Sequence, residues 1–208
     1  MSPRRYRSPA RAASSGQTRE RIVAAAAALL RSPQGIGGFS LEAVGKAAKV
    51  TRLTVYNQFG SRRALLEAVF DDRAGRGGLH RVATAMVAVD PSAGLRKLIE
   101  IFCEFWNFDR DTMARLHGAA TNDAELGESI RARNERRRHA LSVLVDRMVE
   151  RKEVRAEARR DLIDTLFALT SFHFFAELLA GGRSPKAVGG LVQSMAADVV
   201  RRASAGPT

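Results

Sequence analysis

Apolar residues recur every three or four positions along most of this chain of 208 residues, and this spacing predicts α-helices. In the first third of the chain we expect four helices, over residues 18–31, 41–48, 52–57 and 62–74. Four hydroxyl residues stand where N-caps belong, namely Thr18, Ser40, Thr51 and Ser61. Gly60 ends the third helix, and Gly45 indicates that this helix approaches the second one closely. Two short helices joined by a tight turn predict a helix-turn-helix.

Six further helical segments follow the glycines at positions 75, 77 and 78. They span about 79–89, 92–108, 110–120, 124–152, 156–180 and 185–203. Alternation typical of strands is absent, so we expect an all-α fold with a three-helix head and a C-terminal helical bundle. The expected boundaries are a disordered basic arm over 1–16, a helix-turn-helix domain over 17–75 and a helical body over 76–208.

The charge of the chain is positive and unevenly distributed. Lysine and arginine number 34 against 22 acidic residues, a formal net charge of +12. The first 75 residues alone hold 13 basic residues against 5 acidic ones. Basic residues bind polyanions by neutralising phosphates, and no long basic amphipathic helix favours a membrane surface. Double-stranded DNA is therefore the expected partner, with no membrane and a cytoplasmic location.

Catalytic and metal-binding patterns are missing from the sequence. Cys103 is the one cysteine and has no recognisable base partner. His173 and Glu177 are four residues apart, which is not the Glu-x-x-His spacing of di-iron bundles. Neither a nucleophile elbow nor a phosphate-binding glycine loop is present. We therefore expect no metal, no cofactor and no enzymatic activity.

The third helix has the size and side chains to enter a major groove, which is about 12 Å wide. With Val55 and Phe59 turned to the core, its outward face carries Arg52, Leu53, Tyr56 and Asn57, with Thr54 beside them. Arginine pairs with guanine, asparagine pairs with adenine, and leucine or threonine contacts a thymine methyl group. The alternative is an ordinary solvated helix face.

At these residues the sequence resembles the TetR/AcrR family of bacterial transcription regulators. The resemblance covers about residues 17–70. It rests on Thr18-Arg19-Glu20-Arg21-Ile22-Val23-Ala24-Ala25-Ala26 and, above all, on the run from Val50 to Leu66, with its Thr-Val-Tyr, Phe-Gly-Ser-Arg and Leu-Leu elements. It implies a homodimer that binds a palindromic operator and responds to a small-molecule effector in the C-terminal body, most often as a repressor.

The resemblance also implies roles for individual residues. The positions that match base-reading ones are Arg52, Leu53, Thr54 and Asn57. The positions that match phosphate contacts are Thr18, Ser40, Thr51, Tyr56, Gln58 and Arg62. Three residues depart from the family pattern. Lys49 stands where glycine is usual in the turn, Leu53 replaces a small residue, and Gln58 replaces a histidine or tyrosine.

The body contains eight of the 13 aromatic residues, in two segments. Aromatic clusters of this kind form either a plain core or a ligand pocket. The residues expected to line an effector pocket are Phe102, Phe105, Trp106, His117, Asn122, Phe172, His173 and Glu177. The apolar stripes of the last two segments fit either a dimer interface or the interior of one subunit. The alternatives for function are an activator, a regulator without an effector, and a helical-bundle enzyme with a DNA-binding head.

Overall fold

The computed structural model describes residues 9–204, with side chains from residue 14 onward. Within this range the chain forms eleven α-helices and no strand, which confirms the all-α prediction. The helices are α1 (Pro9–Arg31), α2 (Leu41–Ala47), α3 (Arg52–Phe59), α4 (Arg62–Arg76), α5 (Val82–Met86), α6 (Pro91–Phe108), α7 (Arg110–Asn122), α8 (Ala124–Glu150), α9 (Arg159–Leu169), α10 (Phe172–Ala180) and α11 (Pro185–Ser204).

Among the described residues, the first compact unit consists of residues 9–72 and the segment Ala114–Gly127. Its core residues come from all four N-terminal helices and are fully buried: Ile22, Leu30, Val44, Val55 and Leu65. Burial of each such side chain contributes about 1.5–3 kcal/mol. Leu116 of α7 and Leu126 of α8 are buried as well. This unit therefore combines the predicted head with a turn between two helices that lie much later in the sequence.

The second compact unit consists of Arg73–Met113 and residues 128–204 of the described chain. Its central helix is α6, which packs against α5 and α11, and α11 also packs against α9. Leu98, Ile101 and Phe105 on α6 are almost completely buried. A buried ion pair joins Arg73 to Asp109 at 3.1 Å and fixes the end of α6 to the last turns of α4.

The N-terminal helix is longer than the sequence pattern predicts. It begins at Pro9, so Thr18 lies inside α1 and the prediction that it is an N-cap is wrong. The prediction of disorder fails for residues 9–16, because this stretch contains three alanines and continues directly into the helix. Residues 1–8 of the predicted arm lie outside the described residues. The observed units also divide the chain at Asp72 rather than at residue 75.

The predicted helix over 156–180 is two helices. The segments Ala156–Leu169 and Phe172–Ala180 meet at an angle of 51°. Three contacts hold the break between them. Trp106 Nε1 donates to the Thr170 carbonyl oxygen at 2.9 Å, and Arg137 donates to Phe167 O and Thr170 Oγ1, both at 2.6 Å. The side chains that hold this break come from α6 and α8, so the local sequence of α9 does not reveal it.

By length and composition, no single helix in the described part of the chain could cross a membrane, and α9 and α10 reach the required length only as a bent pair. The predicted segment 79–89 is also shorter than expected. It forms a 3-10 turn over Leu79–Arg81 followed by the five residues of α5.

Candidate nucleic-acid interface

The turn between α2 and α3 depends on a glycine and on a strained lysine. A Cβ atom on Gly45 would lie 3.0 Å from the Val50 carbonyl oxygen and 3.3 Å from the Arg52 nitrogen. The predicted close approach of the two helices is therefore confirmed. Lys49 has φ of 55°, a left-handed conformation that costs a residue with a side chain about 1 kcal/mol. It occupies the turn position where the family pattern has glycine.

Helix α3 separates its side chains between core and solvent as predicted. Val55 is fully buried and Phe59 is 9% exposed. On the opposite side, Leu53 is 65% exposed and Tyr56 is 54% exposed. Arg52 and Asn57 are exposed as well, and Thr54 is half-buried. Arg52 and Asn57 therefore present hydrogen-bonding ends, and Tyr56 presents an aromatic hydroxyl group. Leu53 and Thr54 add methyl groups on the same short helix.

Hydroxyl groups fix the first turns of α2 and α3. Ser40 Oγ accepts a hydrogen bond from the Ala43 nitrogen at 3.1 Å, so Ser40 is the N-cap of α2. Thr51 Oγ1 accepts from the Thr54 nitrogen, also at 3.1 Å, and caps α3. The hydroxyl groups of Thr51 and Thr54 are also hydrogen-bonded to each other at 2.9 Å. The polar end of Thr54 is thus bound within the helix start.

Gln58 is held by α1 rather than free for a phosphate. Its side-chain Nε2 donates to Ser15 Oγ at 3.0 Å, and its backbone carbonyl oxygen accepts from the Arg19 guanidinium at 2.9 Å. The Arg19 guanidinium also lies over the Phe59 ring, 4.2 Å from its centroid. These contacts fasten the end of α3 to the N-terminal part of α1. The sequence did not predict them, because the helical state of residues 9–17 was not expected.

The two arginines at the start of α4 are paired with acids from the α7–α8 turn. Arg62 donates to the carbonyl oxygen of Phe39 and approaches Asp123 at 4.0 Å. Arg63 Nε lies 2.9 Å from a carboxylate oxygen of Glu125. All five residues belong to the first compact unit. In this structure Arg62 therefore already has partners at the position where a phosphate contact is predicted.

Free positive charge remains near α3. Lys46, Lys49 and Arg52 are exposed, and none of them forms an ion pair among the described residues. Exposed cations of this kind attract a phosphate backbone and release its counterions. Together with the outward face of α3, they form a surface suited to duplex DNA.

Four of the eight residues predicted for an effector pocket form an aromatic cluster in the second compact unit. The cluster is centred on Trp106. The ring centroids of Phe102, Phe105 and Phe172 lie 4.6–6.1 Å from the Trp106 centroid. All four are buried. His173 and Glu177 are exposed on α10, whereas His117 and Asn122 belong to the other compact unit. The sequence alone does not show which face of each helix is buried, so it cannot separate the buried aromatic residues from the exposed polar ones.

Two grooves of ligand size lie between α6 and α11, and the sequence pattern did not reveal them. One has a volume of about 330 Å³ and includes Leu95, Ile99 and Gln193. The other has a volume of about 340 Å³ and includes Cys103, Gly189 and Gln193. Gln193 bridges the helices by donating to the Arg96 carbonyl oxygen at 2.7 Å. Small residues on α11 leave this space open, a signal that apolar periodicity does not detect.

Burial determines the ionisation of two side chains in the second unit. It raises the pKa of Cys103 to about 11, with Glu104 adding to the rise, so the group is a protonated thiol at neutral pH. Burial also lowers the pKa of Arg137 to about 10, and Arg138 adds to the fall. Arg137 still carries its charge at neutral pH, stacked over the Phe167 ring at 4.1 Å. The described residues contain no cluster of three or more side chains that could hold a metal ion.

Comparison with known proteins identifies the first unit. The family model of the bacterial regulatory proteins of the TetR family matches residues 22–69, which contain the last ten residues of α1 and all of α2 and α3. Residues 22–69 therefore form a DNA-binding head of the TetR type. The match ends within α4, so it describes the head and leaves the body untested. No curated protein matches the sequence significantly.

Solved structures share the fold over nearly the whole length of this chain. A transcriptional regulator from Rhodococcus sp. Rha1 has 16% identity and a TM-score of 0.70, with 91% of this chain and 99% of that chain covered. A TetR-like transcriptional regulator from Rhodococcus sp. RHA1 has 19% identity and a TM-score of 0.63, with coverage of 91% and 97%.

A third structure with this fold contains a small molecule. It is a candidate transcriptional regulator from Saccharomonospora viridis in complex with choline, with 16% identity, a TM-score of 0.69 and coverage of 86% and 95%. At these identities the likeness establishes the fold. The match of the head to the TetR family supports a DNA-binding role in transcription regulation.

Proposed function

We propose that this protein is a homodimeric, ligand-responsive repressor that binds a palindromic operator. The observation that carries the proposal is the outward face of α3, where Arg52, Leu53, Tyr56 and Asn57 are exposed while Val55 is fully buried. Side chains without a structural task on a short, capped helix are available to read base edges.

We expect some polar side chains of α3 to contact base edges and others to contact the phosphate backbone. Arg52 is placed in the first turn and suits the paired acceptors of guanine, and Asn57 suits the donor and acceptor of adenine. Tyr56 presents a hydroxyl group to a phosphate. Ser40 and Thr51 bring the exposed amide ends of α2 and α3 to the backbone, where an anion is favoured by the unpaired N–H groups.

A dimer is required if two heads are to occupy successive major grooves, about 34 Å apart. The last helices offer a surface for it. Val188 and Val192 of α11 are fully buried within one chain, whereas Leu191, Met195 and Val199 on the neighbouring face are only half-buried. A second copy that packs against these three side chains would complete their burial, and the hydrophobic effect favours that association.

Response to an effector is supported by the helical body and by a structural relative. The relative from Saccharomonospora viridis holds choline, and the α6–α11 grooves of this chain have volumes of about 330 and 340 Å³, within the range of small-ligand sites. An effector that binds one conformation of the body better than another shifts the population of the operator-binding form by no more than that difference in affinity.

The DNA-binding proposal is tested with purified protein and DNA from its own promoter region. The duplex is labelled, and binding is measured by fluorescence anisotropy at several salt concentrations against random DNA of equal length. We expect preferential, salt-sensitive binding. Arg52→Ala and Asn57→Ala should each weaken specific binding by about 1–3 kcal/mol and relax base preference at one position per half-site.

The matched control is Arg183→Ala, an exposed arginine in the turn before α11. It removes the same charge from the second compact unit and should leave operator affinity unchanged. Equal affinity of the unmodified protein for promoter and random DNA would contradict the proposal. An equal loss on every DNA sequence in Arg52→Ala would assign Arg52 to the backbone instead of a base.

A further inference from the structure

Leu53 is the most exposed large apolar side chain of the DNA-binding head. Its side chain is 65% exposed. Scattered exposed leucines are ordinary on protein surfaces. This one differs because it stands in the first turn of α3, beside Arg52, on the face opposite Val55 and Phe59. Within the described head, the Leu53 side chain is not part of the core.

Thr54 adds a second apolar group at the same place. Its hydroxyl group is hydrogen-bonded to Thr51 Oγ1 at 2.9 Å, and Thr51 Oγ1 is held in turn by the Thr54 nitrogen. The N-cap therefore fixes the orientation of the Thr54 side chain. With the hydroxyl group occupied, the methyl group is the part of Thr54 that remains available for an outside contact.

The first residues of a recognition helix are the ones that reach base edges in the major groove. Of the groups on those edges, the pyrimidine 5-methyl group is the apolar one, and leucine and threonine methyl groups contact it favourably. We infer that Leu53, supported by the Thr54 methyl group, reads a pyrimidine 5-methyl group in each half of the operator. The inference rests on the proposed DNA-binding function and adds a specificity determinant to it.

Two bases can carry this methyl group, thymine and 5-methylcytosine. The test uses the operator that the protein selects from genomic DNA, made as a set of synthetic duplexes. In each duplex one thymine of a half-site is replaced by deoxyuridine, which removes the methyl group and keeps every hydrogen-bonding group. A parallel set replaces single cytosines by 5-methylcytosine. Affinities are measured by anisotropy at one fixed salt concentration.

We expect deoxyuridine at one position of the half-site to weaken binding about fourfold, the amount expected for one buried methyl group. In Leu53→Ala the same replacement should have no effect, while replacements at other positions keep theirs. Leu53→Met retains an apolar side chain and should retain the sensitivity. Thermal melting of each variant checks that the fold is intact. We expect no change in the melting temperature, because a side chain that is 65% exposed contributes little to the core.

The outcomes distinguish thymine from 5-methylcytosine as the source of the methyl group. They also distinguish failure of this inference from failure of the DNA-binding proposal. Loss of affinity with deoxyuridine assigns the methyl group to thymine. A gain with 5-methylcytosine alone, absent in Leu53→Ala, assigns it to methylated cytosine. If the duplex is bound specifically and Leu53→Ala has the same profile as the unmodified protein in both sets, the inference is overturned and the DNA-binding proposal stands. Absence of any specific binding defeats the DNA-binding proposal itself.

Discussion

At the scale of single residues, Thr51 has two tasks that are separable by substitution. Its hydroxyl group caps α3 and also holds the Thr54 hydroxyl group. We expect Thr51→Ala to lower the free energy of unfolding by about 1 kcal/mol, the usual cost of a lost N-cap. Urea unfolding followed by circular dichroism measures it.

Two controls define the cause of that loss. Thr51→Ser keeps the capping oxygen and should unfold like the unmodified protein. Thr165→Ala removes a hydroxyl group that lies inside α9 and donates to the Asp161 carbonyl oxygen, so it should be neutral or slightly stabilising. A larger loss in Thr165→Ala than in Thr51→Ala would refute the capping explanation.

Cys103 permits a second prediction at this scale. Burial holds the pKa of its thiol at about 11, against about 8.5 for a free cysteine. At pH 8 the thiolate fraction is then lower by roughly two orders of magnitude, and the reaction with a disulfide reagent should be slower by at least that factor.

The rate should rise with pH and keep rising above about pH 10, where a free cysteine has already reached its plateau. Stopped-flow absorbance gives the native rate, and the same protein in guanidinium chloride supplies the reference. A native rate equal to the unfolded one at pH 8 would show that the thiol is not protected.

At the scale of elements, the α7–α8 turn competes with DNA for two arginines. Asp123 and Glu125 pair with Arg62 and Arg63 at the start of α4, directly after the recognition helix. Exposed ion pairs of this kind contribute up to about 1 kcal/mol each. We expect the double change Asp123→Asn and Glu125→Gln to strengthen operator binding roughly twofold to tenfold, because the arginines become available to phosphates.

Anisotropy titrations over a range of salt concentrations measure this effect, which should shrink as salt increases. Asparagine at 123 can still cap α8, as Asp123 does through the Leu126 nitrogen, so the helix start is preserved. The matched control is Glu128→Gln, whose carboxylate pairs with Arg131 on its own helix. If the double variant binds no better than this control, the competition does not occur.

Local sequence predicted some elements and could not predict others, for physical reasons. The start of α3 follows from Thr51, its end from Gly60, and its buried face from Val55 and Phe59, all within ten residues. The break after Leu169 depends instead on Arg137 and Trp106, which are 33 and 64 residues from Thr170. The candidate DNA-binding face was therefore predictable, whereas the distribution of the aromatic residues in the body was not.

The buried charge at the α9–α10 break shows how tertiary contacts override local preference. Arg137 is 5% exposed, and all its hydrogen-bond partners among the described residues are neutral oxygens, including the Phe167 carbonyl. Carbonyl groups at the end of a helix favour a nearby cation. Without that cation, the end of α9 would leave polar groups buried and unsatisfied, which is costly.

At the scale of the whole molecule, the proposed dimer has a direct test. Leu191 and Met195 lie one turn apart on the half-buried face of α11. We expect the double change Leu191→Glu and Met195→Glu to give a monomer, because two charges would be buried against their own copies in a symmetric interface. Sedimentation velocity measures the mass.

The control for the dimer is Val87→Glu, which adds a charge at a position that is 79% exposed and lies outside α10 and α11. It should sediment like the unmodified protein. Operator affinity should fall at least about tenfold in the monomer, since one head then binds without its linked twin. If the unmodified protein sediments as a monomer, the proposal that one dimer reads both operator halves is wrong.

The clasp between α1 and α3 has a practical consequence for anyone who purifies this protein. Ser15 holds Gln58 and Arg19 covers Phe59, so the beginning of the first helix runs beside the end of the recognition helix. Any change made to residues 15–19 for labelling or solubility would therefore also reach the end of the recognition helix, although these residues lie about 40 positions away in the sequence.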